Sequence, residues 1–345
     1  MSAQSEKGID VRDIDTPTRR LPEIDLGPFF AGKAGALEAL AVQWREAAEG
    51  VGFICLINHG LKEEEIERME TEVRRFHALP SDQKMAIKVN EHQRGFIPGK
   101  ATIVTHSTYE KHTKLDTVEC LVLATEYDKD DPNVKAGKQF YSQNQWPVGM
   151  PDFKNAIEHY MNRVMDICKR TLPVWAVALD LKPDYFNPYF EKSYTYFRLA
   201  KYPPIEHVGE NEFGLGAHAD TGFMTFLPPA KERGLQVLGS DGIWFWPDLP
   251  KDGILLNIGQ FLERWTNERF RATPHRVLPP RDNDRYSFAC FVNTSLDTEV
   301  GCLPTCTSPD NPPKYPNESY WDFYQWYISR TYTHQGAEID TNETT

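Results

Sequence analysis

The chain has 345 residues, of which 40% are hydrophobic, 26% charged and 12% aromatic, and its formal net charge is −12. A chain of this size and composition can bury a full core without help from disulfides or a structural metal. The acidic balance argues against sequence-independent nucleic-acid binding, which needs clustered Lys and Arg against phosphate; a local buried Arg could still receive an anionic substrate.

Residues 1–20 are polar and lack an apolar h-region, so a flexible N-terminal arm, disordered or loosely docked, is expected rather than a signal peptide. Residues 21–29 (LPEIDLGPF) predict a short strand that ends at Gly27-Pro28. Leu37, Leu40, Ala41, Trp44, Ala47 and Ala48 share one helical face over residues 35–50, and Gly50 and Gly52 end that helix. The run 53–58 (FICLIN), closed by His59-Gly60, predicts a buried strand. Ile66, Met69, Val73 and Phe76 predict an amphipathic helix over 62–78, stopped by Pro80. Residues 88–150 are irregular and rich in turn residues, a kind of stretch that forms lids or binding loops. A long helix fits 152–180, with Phe153, Ile157, Tyr160, Val164 and Ile167 on its apolar face.

From residue 193 the hydrophobic period changes from 3.6 to 2. SYTYFRLAKY, FMTFL, LQVL, ILLNI and RYSFACFVN read as short strands broken by Gly, Pro and Asp, which suggests a β-barrel or double-sheet jelly roll. An aromatic helix carrying Tyr320, Trp321, Phe323, Tyr324, Trp326, Tyr327 and Ile328 is expected to pack against it. The expected organisation is an α/β region over 21–190, a β core over 191–310 and a C-terminal helix and tail over 311–345, forming one catalytic unit. The six cysteines form no CxxC pair and read as free thiols of a reducing compartment. With no apolar run near the roughly 20 residues of a membrane span, a cytoplasmic protein without membrane contact is expected.

The chemistry concentrates in three segments. His218-Ala-Asp220, in GLGAHADTGFMTF, would put an imidazole and a carboxylate on one face of an extended strand. Alone, such a tripeptide arises by chance. His275, in RATPHRVLPP, follows 55 residues later (275 − 220). Two His and one carboxylate leave open positions that suit iron(II), although zinc accepts the same donors. In RYSFACFVN, Arg285 and Ser287 alternate onto one face and would cradle a carboxylate, although Arg285 taken alone reads more simply as a surface salt bridge. Phe291 and Asn293 continue that face. Tyr194, Tyr196, Arg198, Ala200 and Tyr202 share a face of the strand before Pro203. Tyr196, Arg198, Phe291, Asn293, Phe223 and Arg94 are the candidate substrate-pocket residues. Core packing competes for each aromatic among them, and a structural salt bridge for Arg94 and Arg198.

Taken together, these motifs resemble the isopenicillin N synthase-like branch of the iron(II)- and 2-oxoglutarate-dependent dioxygenases. The family's HxD…H…RxS pattern falls on His218, Asp220, His275, Arg285 and Ser287. GFICLINHG (52–60), ALPSDQK (78–84), RGFIP (94–98), the Asp116/Glu119 segment, RLAKYPP (198–204), GLQVL, LLNIG and ERWTNERFRATPHRV are similar in the same order. The resemblance covers most of the chain. It departs where Gln260 replaces an Asp after Asn257-Ile258-Gly259, and where Ala219 stands in place of Thr.

The resemblance implies a mainly β fold with flanking helices, built on a cupin-like double-stranded β-helix. It implies His218, Asp220 and His275 as iron ligands, and Arg285, Ser287 and Tyr202 around 2-oxoglutarate. The cofactors implied are iron(II), 2-oxoglutarate and O2, with ascorbate as a candidate reductant. The activity implied is decarboxylation of 2-oxoglutarate to succinate and CO2, coupled to hydroxylation or a related oxidation of a small organic molecule of secondary or catabolic metabolism. No side-chain acid or base beyond the metal ligands is called for. The competing readings are an iron oxidase of the isopenicillin N synthase or aminocyclopropane-carboxylate oxidase type that dispenses with 2-oxoglutarate, and a non-catalytic iron or 2-oxoglutarate sensor. A zinc hydrolase would want an HExxH or a paired general base, which this sequence lacks.

Overall fold

The computed structural model describes residues 9–105, 107, 109–110 and 113–337. Apart from a two-residue pair at Glu299–Val300 and Glu318–Ser319, its strands are β1 (Thr18–Arg20), β2 (Glu23–Asp25), β3 (Phe53–Ile57), β4 (Gly95–Ile97), β5 (Glu119–Ala124), β6 (Thr195–Tyr202), β7 (Leu215–His218), β8 (Met224–Leu227), β9 (Leu235–Leu238), β10 (Trp244–Asp248), β11 (Ile254–Ile258), β12 (His275–Val277) and β13 (Arg285–Val292). They form two facing sheets. One is five-stranded, in the order β1-β10-β9-β12-β7, and the other eight-stranded, in the order β2-β3-β11-β8-β13-β6-β5-β4. The arrangement is the expected mainly β, jelly-roll-type core with helices outside it. The strands of the N-terminal half extend the larger sheet at both of its edges, so the two halves share one sheet.

Alternation along the strands decides what faces where. On β6, Phe197 points outward and stacks on Tyr160 at 5.6 Å between ring centroids. Tyr160 belongs to the long helix Pro151–Ala178. The neighbouring Arg198 points the other way, between the sheets. The helices Ala36–Glu49 and Glu63–His77 pack in turn on the long helix. Trp44 meets Trp175 edge-on at 5.1 Å. Burial of these apolar stripes holds the helical layer to the larger sheet and leaves the opposite face of that sheet free to build a site.

Two expectations need correction. The arm is not loose from Ile9 onward, whereas residues 1–8 lie outside the described residues. Asp10 and Arg12 pair with side chains only 8% and 7% exposed, Arg12 donates to the carbonyls of Ile205 and Pro280, and β1 pairs in parallel with β10. These partners are distant in sequence, so no local pattern announces the docking. The strand carrying His218 ends there, and Asp220 lies in the turn before β8. Strands β7 and β12 span four and three residues, too short to display a period. Among the described residues no helix is long and apolar enough to cross a membrane.

Candidate metal centre and anion cradle

Register brings the site together. In the smaller sheet, β12 pairs antiparallel with β7, setting His275 opposite His218. The chain then crosses to the larger sheet through the turn containing Asp220. One donor atom from each of His218, Asp220 and His275 lies within 4.8 Å of the others. Both Nε2 atoms face the same oxygen, Asp220 Oδ1, at 3.6 Å from His218 and 3.5 Å from His275. Each Nδ1 is engaged by a backbone carbonyl, His218 to Gly216 at 2.8 Å and His275 to Thr273 at 3.1 Å. Those bonds fix the tautomers with the proton on Nδ1 and the Nε2 lone pair turned inward.

The carboxylate is anchored as firmly. Asp220 Oδ2 accepts from Thr225 Oγ1 and Asn257 Nδ2, both at 2.6 Å. Thr225 and Asn257 are direct cross-strand partners on β8 and β11, so the sheet itself delivers both donors. Burial alone would raise the Asp220 pKa, but the His275 and His218 imidazoles beside it hold it well below the usual carboxylate range. Burial lowers His218, with the neighbouring His275 adding to the effect. Two oriented nitrogens and one ionised oxygen, all buried and converging, are a donor set that fits a divalent transition metal with an open side.

The turn after Asp220 is packed without slack. Asn293 Oδ1 accepts from Phe223 N at 3.1 Å, and a Cβ on Gly222 would meet that oxygen at 1.9 Å. Gln260, the departure from the family pattern, closes the same turn: its backbone N–H donates to Asp220 O at 2.7 Å and its side chain to Ala219 O at 2.9 Å.

On the facing sheet, β13 pairs with β6 so that Arg285 lies opposite Tyr202, Ser287 opposite Ala200, Ala289 opposite Arg198 and Phe291 opposite Tyr196. Arg285 is 3% exposed. Its guanidinium sits 5.1 Å over the Tyr202 ring, and Nε donates to Glu232 O at 3.1 Å. Nη1 is buried with no hydrogen-bond partner. Burial pulls the Arg285 pKa below its usual value, yet a guanidinium stays charged. A buried cation with a spare donor is costly without an anion, so the cradle fits a carboxylate. Arg285, Ser287, Tyr202, His218, Asp220 and His275 all line one cavity, whose volume open to the centre of a water molecule is about 50 Å³. The residues present therefore fit both the metal and the keto diacid that the sequence pattern calls for.

Of the candidate pocket residues, Tyr196, Arg198 and Phe291 line the space beside the metal donors. Three do not. Arg94 is fully buried in the N-terminal layer, donating to the carbonyls of His92, Thr125 and Phe140 and to the Tyr194 hydroxyl. Phe223 packs among Trp175, Phe186, Phe190 and Trp265. Asn293 braces the Asp220 turn, as above. The aromatic helix Tyr320–Ile328 packs against the barrel as expected, and it also lends Tyr320, Tyr324 and Tyr327 to the wall beside the metal donors. Sequence reasoning missed Thr225, Asn257 and Asp116. The last is a fully buried carboxyl that accepts from Gly216 N at 2.8 Å and so steadies the strand bearing His218. A signal existed for Asn257, a lone amide in the apolar run ILLNI.

Two buried imidazoles and a carboxylate with an open side, inside a double-sheet barrel, define a mononuclear non-haem oxygenase class of site. Residues 21–149 match the family model described as "non-haem dioxygenase in morphine synthesis N-terminal", and residues 193–294 match the 2OG-Fe(II) oxygenase superfamily. The chain is 30% identical over 319 residues to the 2-oxoglutarate-Fe(II) type oxidoreductase hxnY of Emericella nidulans, covering 90% of each protein. It is 32% identical over 289 residues to kihadalactone A synthase LFS of Citrus sinensis, covering 81% of this chain and 84% of that one. A crystallised 2OG-Fe(II) oxygenase family protein from Caulobacter crescentus is similar with a TM-score of 0.76 at 27% identity, covering 90% of this chain and 98% of its own. The chain belongs to the 2-oxoglutarate- and iron(II)-dependent oxygenase superfamily and is a dioxygenase of that kind, with iron and 2-oxoglutarate as its cofactors.

Proposed function

We propose that His218, Asp220 and His275 hold iron(II), that Arg285, Ser287 and Tyr202 receive the far carboxylate of 2-oxoglutarate, and that Tyr196, Arg198 and Phe291 border the substrate. The reaction is hydroxylation or a related oxidation of a small organic molecule, coupled to conversion of 2-oxoglutarate to succinate and CO2. The observation that carries this reading is the unpaired, buried Arg285 Nη1 in the same cavity as the three converging donors. Bound iron with its cosubstrate and O2 supplies the oxidising power. The chain's own part is to orient and exclude. The Nδ1–carbonyl bonds aim the imidazoles, Thr225 and Asn257 hold the carboxylate rotamer, and Phe53, Leu215, Val277 and Phe291 keep the cavity wall apolar.

Substrate-dependent succinate release, followed with iron and 2-oxoglutarate supplied and each omitted in turn, tests this. Turnover should require both, and His218→Ala should abolish it. Product formation without 2-oxoglutarate would point instead to an oxidase of the cosubstrate-independent type. Binding of 2-oxoglutarate with no consumption across a substrate panel would point to a sensor.

A further inference from the structure

A second buried arginine shares this cavity, and the cosubstrate does not account for it. Arg198 is 6% exposed and lines both the chamber with the metal donors and an adjoining one beneath the tyrosines. Its Nε donates to Cys120 Sγ at 3.4 Å, a weak acceptor, and its Nη2 is buried with no hydrogen-bond partner. No carboxylate among the described residues forms an ion pair with it. Asp116 lies near enough to feel its charge, but that carboxyl accepts from Gly216 N and makes no ion pair with Arg198, and burial raises its pKa. An uncompensated buried guanidinium calls for an anion. 2-Oxoglutarate has two carboxylates; in the reading above one meets the metal and the other Arg285, which leaves none for Arg198.

The adjoining chamber holds a second unsatisfied donor. The Tyr324 hydroxyl is buried and without a partner, and Tyr324 lines the same space as Arg198, together with His218, Asp220 and Phe291. Burial raises the Tyr324 pKa well above the phenol range, so the group is a proton donor. The neighbouring Tyr196 and Tyr332 hydroxyls already pair with each other at 3.1 Å. The chamber is narrow, about 20 Å³ open to the centre of a water molecule, against roughly 10–15 Å³ for one water. It has room for the carboxylate end of a ligand.

We propose that the substrate is a compact carboxylic acid whose carboxylate is taken by Arg198 and Tyr324, with the carbon to be oxidised lying on the His218/Asp220 side of that anchor. This rests on the oxygenase reading of the site and adds the substrate's class. A guanidinium fork with a flanking phenol suits the two oxygens of a carboxylate and discriminates against the corresponding amide, whose NH2 would face donors.

Isothermal titration tests it without turnover. The protein, both metal-free and loaded with Ni(II) and 2-oxoglutarate, is titrated with benzoate, phenylacetate and cyclohexanecarboxylate and with their primary amides. At least one acid should bind tenfold or more tighter than its amide. Arg198→Met should bring that preference within twofold, Tyr324→Phe should cut it three- to tenfold, and Arg198→Lys should keep part of it. Affinity for 2-oxoglutarate should stay within twofold in all three variants, which also shows that they are folded. An acid preference that survives Arg198→Met, or that vanishes in Arg285→Met instead, overturns the proposal, as does the absence of any preference across the panel. Failure of the wild-type protein to bind 2-oxoglutarate, with an Arg198-dependent acid preference intact in the metal-free protein, would overturn the oxygenase reading and leave the subsite standing.

Discussion

Replacing Thr225 by Val removes one hydroxyl and almost no volume, which isolates what the anchoring of Asp220 contributes. In the native protein Asp220 Oδ2 accepts two short bonds, from Thr225 Oγ1 and Asn257 Nδ2, and this leaves Oδ1 as the atom facing both imidazoles. A hydrogen bond to a buried carboxylate contributes about 1.5–3 kcal/mol. Part of that loss falls equally on the metal-free and metal-bound protein and cancels in the binding equilibrium. The remainder is the freedom the carboxylate gains to swing Oδ1 off the metal position, and loss of such supporting bonds typically weakens metal binding about 10–100-fold. Thr225→Val is therefore expected to raise the dissociation constant for Co(II) or anaerobic iron(II) by that factor, read by competition against a fluorescent chelator. Thr225→Ser, which keeps the hydroxyl, should stay within about threefold of the wild type. A folded Thr225→Val protein with native metal affinity would refute the argument that Asp220 depends on its sheet-borne donors.

Arg285→Met should weaken 2-oxoglutarate binding at least about thirtyfold, since truncating one partner of a buried charge pair costs 2 kcal/mol or more, while metal affinity stays native; titration calorimetry of the metal-loaded protein reads both. Glu119 gives a pH-dependent prediction. Burial would raise it, but bonds from His77 and Lys84 more than offset this and hold it at about 2, below its ordinary 4.5. A lowered carboxylate stabilises the fold above its unfolded pKa, and that contribution is lost as pH falls from 4.5 toward 2, on the order of 3 kcal/mol in all. Glu119→Gln should therefore flatten the loss of stability measured by urea denaturation between those pH values; an unchanged slope would count against the cluster. Arg94→Met should unfold at markedly lower temperature, by the equivalent of about 3–5 kcal/mol, because one buried and two half-buried carbonyls lose their donor. Its 2-oxoglutarate affinity should remain native, and a selective affinity loss in a stable protein would return Arg94 to the substrate pocket.

The helices and the longer strands were readable because each repeats its pattern enough times to be seen. Helix Ala36–Glu49 buries Leu40, Ala41, Trp44, Ala47 and Ala48, five of the six residues its period predicts, with Leu37 half-buried, and β13 alternates as its sequence suggests. The smaller sheet was the hard part. Its metal-bearing strands are too short to alternate, and they hold their shape by pairing with each other and with β9. Residues 9–20 escaped for a related reason: Arg12 finds its acceptors at Ile205 and Pro280, and nothing within the arm itself hints at them.

At the site, the donors were legible as types while their aim was not. His218, Asp220 and His275 carry chemistry that few other residues offer, so spacing and residue type sufficed to nominate them. The expected route of convergence, one extended strand through His218 and Asp220, differs from the actual one, in which the turn at Asp220 spans the two sheets and the larger sheet grips its far oxygen. The three arginines sharpen the point. Arg94, Arg198 and Arg285 were each open to a structural or a functional reading, and all three are nearly inaccessible. What separates them is the supply of acceptors around each guanidinium. Arg94 is surrounded by carbonyls that use up both of its terminal nitrogens. Arg198 and Arg285 each keep a terminal nitrogen that no protein atom satisfies, and both open onto the same cavity. Arg94 also leaves its Nε without a partner, so the distinction lies in the terminal nitrogens and in the opening of Arg198 and Arg285 onto the cavity. The proposal of one ligand anion for each of Arg198 and Arg285 is thus supported by their unmet terminal nitrogens, which residue type and periodicity could not show.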